Sequence, residues 1–134
     1  MKAEELAGRA KEAAERSYSP YSKVRVGCAL ETTDGRVFTG CNIENASFSL
    51  TLCAERVALF KAISEGATGF RRVAIWSDTG FHLVPCGACL GVLAEWVDKS
   101  TGEVILAGGE GSIRSVPFRE FLPMDLSDLE KHLR

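Results

Sequence analysis

A chain of 134 residues, 46% apolar and 25% charged, has the make-up of one compact globular domain spanning residues 1–134. A net charge of −2 with no basic stripe excludes phosphate-backbone binding as the main task, so no nucleic-acid partner is expected. No apolar run approaches the ~20 residues that span a bilayer, and the charged opening MKAEELAGRAKEAAERS lacks a secretory core, so a cytoplasmic protein with no membrane partner is expected.

Taken along the chain, residues 3–17 are rich in Ala, Leu, Glu and Lys, with Leu6, Ala10, Ala13 and Ala14 at helical spacing, which predicts a first helix. Ser17, Ser19, Pro20 and Ser22 break it. Val24, Val26, Cys28 and Leu30 then alternate with Arg25, Gly27 and Glu31, a strand pattern. Asp34-Gly35 supplies a hairpin turn, and Arg36 to Cys41 reads as the returning strand. After a polar loop from Asn42 to Ser49, a second helix is predicted from about Cys53 to Ser64, closed by Gly66. Arg72 to Ser77 is a short strand, and a third helix runs from about Ala88 to Val97, with Val92, Leu93 and Trp96 on one face. Glu103 to Ala107 and Ser112 to Val116 read as strands around a turn at Gly108–Gly111, followed by short helices at Phe118–Phe121 and Leu126–Leu133. An opening hairpin followed by alternating strands and helices predicts an α/β fold: three layers, α/β/α, around a mixed five-stranded sheet. The first two strands should be antiparallel, and those linked by helices parallel.

Two segments carry the chemistry. Cys53-Ala54-Glu55-Arg56 opens the second helix, and Pro85-Cys86-Gly87-Ala88-Cys89 opens the third. Five cysteines in a reducing compartment favour metal binding or catalysis over disulfides. Cys86 and Cys89, three apart, can aim both thiolates at one point, and Cys53 can complete a three-sulfur face for Zn2+. Three protein ligands leave a fourth position for water, the arrangement of a catalytic site. Helix starts favour thiolate over thiol. Glu55 cannot ligate from the same face as Cys53, but it can lean over the open position, take a proton from water and deliver it to a leaving group. Arg56 can hydrogen-bond to the sulfurs and withdraw charge; it reads equally well as a surface arginine. Cys28 and Cys41, at strand positions, are expected to be packed inside, Trp76 and Trp96 to be core residues, and His82 to lie in a solvated loop.

Together these segments resemble the small cytidine deaminases of the three-cysteine zinc type. The zinc-deaminase signature of Cys or His, any residue, Glu, then Pro-Cys-x-x-Cys is present in both halves. SPYSKVRVGCAL, GRVFTGCNIENASF, TLCAERVALFKAISEG, VPCGACLGVLAEW and REFLP follow in family order. The resemblance implies that Cys53, Cys86 and Cys89 hold zinc and that Glu55 shuttles protons. It also implies that Asn42 and Glu44 hold the ribose hydroxyls, and that backbone groups at Ala54 and near Val84 read the base. The implied reaction is water attack at the pyrimidine C4 of a cytidine or deoxycytidine, releasing ammonia, in a homotetramer. From the residues alone, capping or ordering the loop after the strand is the stronger reading of Asn42 and Glu44, ahead of ribose binding.

The chain departs from the pattern at several places. Val24 stands where the family commonly has Phe, Val84 where it has Ser, and Leu90-Gly91 where it has Arg-Gln. Met124, Asp125 and Leu126 follow Pro123 where an aromatic residue often reaches a neighbouring subunit. These changes gather at the base end, so a relaxed or shifted preference, toward a modified cytosine or another amino-substituted pyrimidine nucleoside, is the alternative substrate expectation. Two other classes stand against it. A non-catalytic zinc module would need a fourth ligand, with His82 the only candidate, and a dithiol redox pair would leave Cys53 and Glu55 unexplained.

Overall fold

The computed structural model describes residues 1–122, so the expected helix at Leu126–Leu133 and the Met124-Asp125-Leu126 segment lie outside the described residues. The elements run α1 (Ala3–Ala14), β1 (Val26–Thr32), β2 (Val37–Cys41), a 3-10 turn (Phe48–Leu50), α2 (Ala54–Ser64), β3 (Phe70–Ser77), α3 (Gly87–Leu93), β4 (Glu103–Gly108), β5 (Ile113–Pro117) and a second 3-10 turn (Phe118–Phe121). The strands form one mixed five-stranded sheet in the order β2-β1-β3-β4-β5. Neighbours are antiparallel except β3 and β4, which are parallel and joined through α3. The three-layer expectation holds.

The layers follow from the period-two alternation of strand side chains. Ala29, Ala74, Ile105 and Ala107 face α1, where they pack with Leu6, Ala7 and Ala10. Cys28, Leu30, Val73, Ile75, Val104 and Leu106 face the opposite way, onto Ala54, Ala58 and Leu59 of α2 and Cys89 and Leu93 of α3. Covered on both sides, β1 is buried along its whole length instead of showing the half-buried alternation of an outer strand. Two glycines set how closely the helices approach. A Cβ at Gly27 would stand 1.8 Å from the Ala10 carbonyl of α1, and one at Gly40 would stand 2.5 Å from the Ala58 nitrogen of α2.

Several boundaries differ from the sequence expectation. β1 begins at Val26, not Val24, and β3 begins at Phe70, two residues earlier than expected. α3 ends at Leu93 because the chain beyond it is drawn onto the sheet: Phe70 N–H donates to the Trp96 carbonyl, and Asp98 N–H donates to the Phe70 carbonyl. Cys28 is buried, but Cys41 and both tryptophans are only half-buried; Cys41 ends the edge strand β2, and Lys11 lies 6.0 Å from the Trp76 ring centre.

At the far end of β1, Glu31 is 2% exposed and faces Arg72 directly across the ladder. Its carboxylate accepts from Arg72 Nε and an Arg72 terminal nitrogen, both at 2.7 Å, and from an Arg71 terminal nitrogen at 2.9 Å. Hydrogen bonding from Arg72 leads in holding the Glu31 carboxyl down to about 2. A depressed folded-state value stabilises the protein above the unfolded carboxyl value, and the contribution is lost as pH falls through the folded one. Glu31→Gln should therefore cost about 2–3 kcal/mol of stability at pH 7. Denaturation of wild type and variant at pH 7 and at pH 3 should show that gap narrowing at the lower pH.

Candidate metal centre and cleft

The sheet topology brings the site together. β2 and β3 both run antiparallel to β1, so α2 and α3, which follow them, start at the same edge of the sheet, where β1 begins. Cys53 is the N-cap of α2 and Cys86 the N-cap of α3, where it accepts a hydrogen bond from Cys89 N–H at 3.5 Å. Cys53 Sγ lies 3.7 Å from Cys86 Sγ, which lies 3.4 Å from Cys89 Sγ, and the three sulfurs are all within 4.8 Å of one another. Thiolates bound tetrahedrally at ~2.3 Å from Zn2+ would stand about 3.8 Å apart. The donor set and its spacing therefore fit zinc, and the trio is the metal-capable cluster found among the described residues. His82 is not part of it.

The electrostatics suit a cation. The Cys53 thiol is held down to about 5, first by the hydrogen bond with Cys89 and then, against burial, by Arg56. Cys89 is pushed far up by the same hydrogen bond and by burial. Sulfurs packed this closely favour a cation among them, and a divalent ion bound there would displace thiol protons. A terminal nitrogen of Arg56 donates to Cys53 Sγ at 3.4 Å and to the Thr51 carbonyl at 3.5 Å, while its buried Nε has no partner among the described residues. Of the two readings of Arg56, the one beside the sulfurs is the one its geometry matches.

Glu55, in the first turn of α2, is 4% exposed, and burial leads in raising its carboxyl to about 7. Together with Cys53 and Cys86 it lines a cleft of about 290 Å³. The same cleft is lined by apolar Val24, Val26, Leu52, Leu83 and Val84 and by polar Ser22, Asn42, Glu44 and Thr51. Ala54, wholly buried, occupies the first position of α2, where backbone N–H groups have no partner within the helix.

Asn42 and Glu44 line this cleft and also order its walls. Asn42 Oδ1 accepts from Ser17 Oγ and from Val26 N–H, and its Nδ2 donates to the Val24 carbonyl. Glu44 accepts from the N–H groups of Tyr21 and Ser22 at 3.0 Å and from the Ser22 hydroxyl. Those hydrogen bonds lower the Glu44 carboxyl, the opposite of the shift at Glu55. Ser22, Thr51, Leu52 and Leu83 were not singled out from the sequence. Ser22, Thr51 and Leu52 sit in loops brought together by bridges of Ile43 with Tyr18 and Leu52, pairings that no local pattern encodes, and Leu83 sits in the loop between β3 and α3.

Known proteins share this arrangement. Residues 1–107 match the model of the cytidine and deoxycytidylate deaminase zinc-binding region. The chain is 44% identical over 123 residues to a cytidine deaminase of Sporosarcina psychrophila, covering 92% of this chain and 90% of that one. It is 47% identical over 112 residues to the cytidine deaminase of Halalkalibacterium halodurans, covering 84% of each. The crystal structure of the Burkholderia pseudomallei cytidine deaminase superposes with a TM-score of 0.86 at 44% identity, over 92% of this chain and 98% of that one. The chain belongs to the cytidine and deoxycytidylate deaminase family, and it is a hydrolase of C–N bonds.

Alanine at Cys53, Cys86 or Cys89 should each remove most of the bound metal from purified protein, read by elemental analysis. Arg56→Ala should still purify with metal, with affinity or activity reduced by about 10- to 100-fold.

Proposed function

We propose that this chain catalyses the zinc-dependent hydrolytic deamination of a pyrimidine nucleoside, cytidine or 2'-deoxycytidine, yielding uridine or 2'-deoxyuridine and ammonia. The observation that carries the reading is the buried Glu55 carboxyl beside a three-sulfur face at the end of a nucleoside-sized cleft. Cys53, Cys86 and Cys89 would hold Zn2+, whose Lewis acidity makes water a nucleophile at neutral pH. Glu55 takes a proton from the attacking water, passes it to the ring nitrogen next to C4, and then takes the second proton from the hydroxyl added at C4 and delivers it to the departing amine. A carboxyl raised by burial gives and accepts protons near neutrality, which suits both transfers. Arg56 draws charge from Cys53, so the sulfurs donate less to the metal. The Ala54 N–H and the backbone near Val84 read the base.

Asn42 and Glu44 hold the sugar hydroxyls while keeping the loop contacts described above. The amide retains one N–H, and the carboxylate retains a lone pair. The reading extends to a single catalytic domain acting on a small neutral substrate, in a cytoplasmic enzyme of pyrimidine metabolism. No described helix is long and apolar enough to cross a membrane.

A second substrate reading is favoured by the base end. Val24, Val26, Leu83 and Val84 make it aliphatic, and none of the described residues lining the cleft is aromatic. Without a ring to stack on, discrimination of the base weakens by about 0.5–1.5 kcal/mol, opening the site to substituted cytosines.

The oligomeric reading is a homotetramer. At the cleft mouth Tyr18, Tyr21, Ile43, Phe48 and Leu50 are exposed together, with Phe48 at 73% and its ring 5.9 Å edge-on to Tyr21. An apolar patch of this kind marks an association surface, and it borders the sugar end through Ser22, Glu44 and Thr51.

Two measurements test these statements. Ammonia release over a panel of cytidine, deoxycytidine, substituted cytosine nucleosides and free bases should show turnover by wild type. Glu55→Gln should lower the rate by about 10²–10⁴-fold while keeping its metal, whereas a zinc module would release none in either form. In light scattering the particle should have four times the 14.5 kDa chain mass, and Phe48→Glu should shift it toward smaller species.

A further inference from the structure

The loop joining β3 to α3 forms one wall of the cleft through Leu83 and Val84, and it is tied from behind. Within the loop, Ser77 Oγ and Thr79 Oγ1 are 2.5 Å apart, and Thr79 Oγ1 donates to the Phe81 carbonyl at 2.9 Å. Across the fold, His82 Nε2 lies 2.8 Å from Ser112 Oγ, a contact between positions 30 residues apart. The Ser112 hydroxyl donates to the Glu110 carboxylate, so the same oxygen is left to accept from the imidazole N–H. Glu110 Oε1 itself stands 3.8 Å from His82 Nε2.

The turn between β4 and β5 is shaped for this contact. A Cβ at position 108 would fall 2.8 Å from the Glu110 carboxylate, so Gly108 leaves the room that the folded-back side chain occupies. The three residues do not make a hydrolytic triad: the carboxylate binds the serine, whereas a triad has it orient the histidine.

We propose that the His82–Ser112–Glu110 chain is a latch that sets the position of the Leu83–Val84 wall, making His82 a positioning residue for the base of the substrate. The inference rests on the reading of the cleft as a pyrimidine nucleoside site. An aliphatic wall offers only close contact, and a gap of about 0.5–1 Å forfeits a quarter to a half of the dispersion attraction. Holding the wall in place therefore contributes to substrate fit. The metal end is insulated from the loop, because buried Pro85 intervenes and Cys86 is anchored as the cap of α3. Releasing the latch should loosen the base wall while leaving the three sulfurs in place.

The test uses the full-length metal-loaded protein and the variants His82→Ala, His82→Gln and Ser112→Ala, each checked for metal content and thermal midpoint. Hydrogen exchange should quicken over residues 79–85 in the alanine variants, and KM should rise by about two- to tenfold, the worth of one hydrogen bond. kcat and metal content should stay near wild type. Gln, whose amide N–H can reach Ser112, should restore both the exchange protection and most of the KM. Unchanged exchange would overturn the latch. Faster exchange with an unaltered KM, a matched fall in kcat with metal loss, or no rescue by Gln would overturn the positioning role. A wild type that deaminates no nucleoside, with exchange still responding to the variants, would sink the nucleoside reading and the substrate part of this inference with it.

Discussion

Three sulfur atoms within 4.8 Å of one another, drawn from two helix starts, set the terms for the rest of the molecule. Thiolates crowded so closely repel, and only shared protons, helix N-termini, a guanidinium or a metal cation can hold them together. The fold supplies each of these except the metal. Cys53 and Cys86 cap α2 and α3, and Arg56 reaches Cys53 from within α2. The convergence follows from strand direction. Because β2 and β3 both oppose β1, the helices that follow them start at one edge of the sheet. Had β2 and β3 run in opposite directions, the two cysteine segments would have started at opposite ends of the sheet.

The two carboxylates of the cleft illustrate how environment assigns roles to identical groups. Glu44 accepts three hydrogen bonds and stays acidic; Glu55, buried beside Cys53, is raised to about 7. The acidic one holds a loop and still lines the cleft. The raised one can exchange protons near neutral pH. Asn42 combines ordering and exposure to the cleft in the same way, so the structural and ligand-facing readings of these residues are compatible.

Stability and specificity are placed apart. The Glu31 cluster, with Arg71 and Arg72, sits at the end of β1 away from the cysteines and needs no part of the site. The Leu83–Val84 wall, in contrast, is joined to a segment far along the chain, since the turn after β4 supplies the Ser112 partner of His82.

Much of this was legible in the amino-acid order. Element identities, the mixed sheet and the cysteine trio follow from local periodicity, from cap and turn chemistry, and from two short motifs whose spacing is set by helix geometry. Val24, Asn42, Glu44, Glu55 and Arg56 were all legible as site candidates, and all lie at the cleft or beside its sulfurs. What remained hidden depends on contacts between distant segments. The end of α3 is decided by pairing of Trp96 and Asp98 with Phe70, and the full burial of β1 by helices on both faces. His82 reads as a solvated loop residue until the fold sets Ser112 beside it. Local sequence specifies what a segment can become, because backbone preference and side-chain spacing are short-range. Which segments meet is settled only by burying the shared core, and that is where the walls of the cleft were determined.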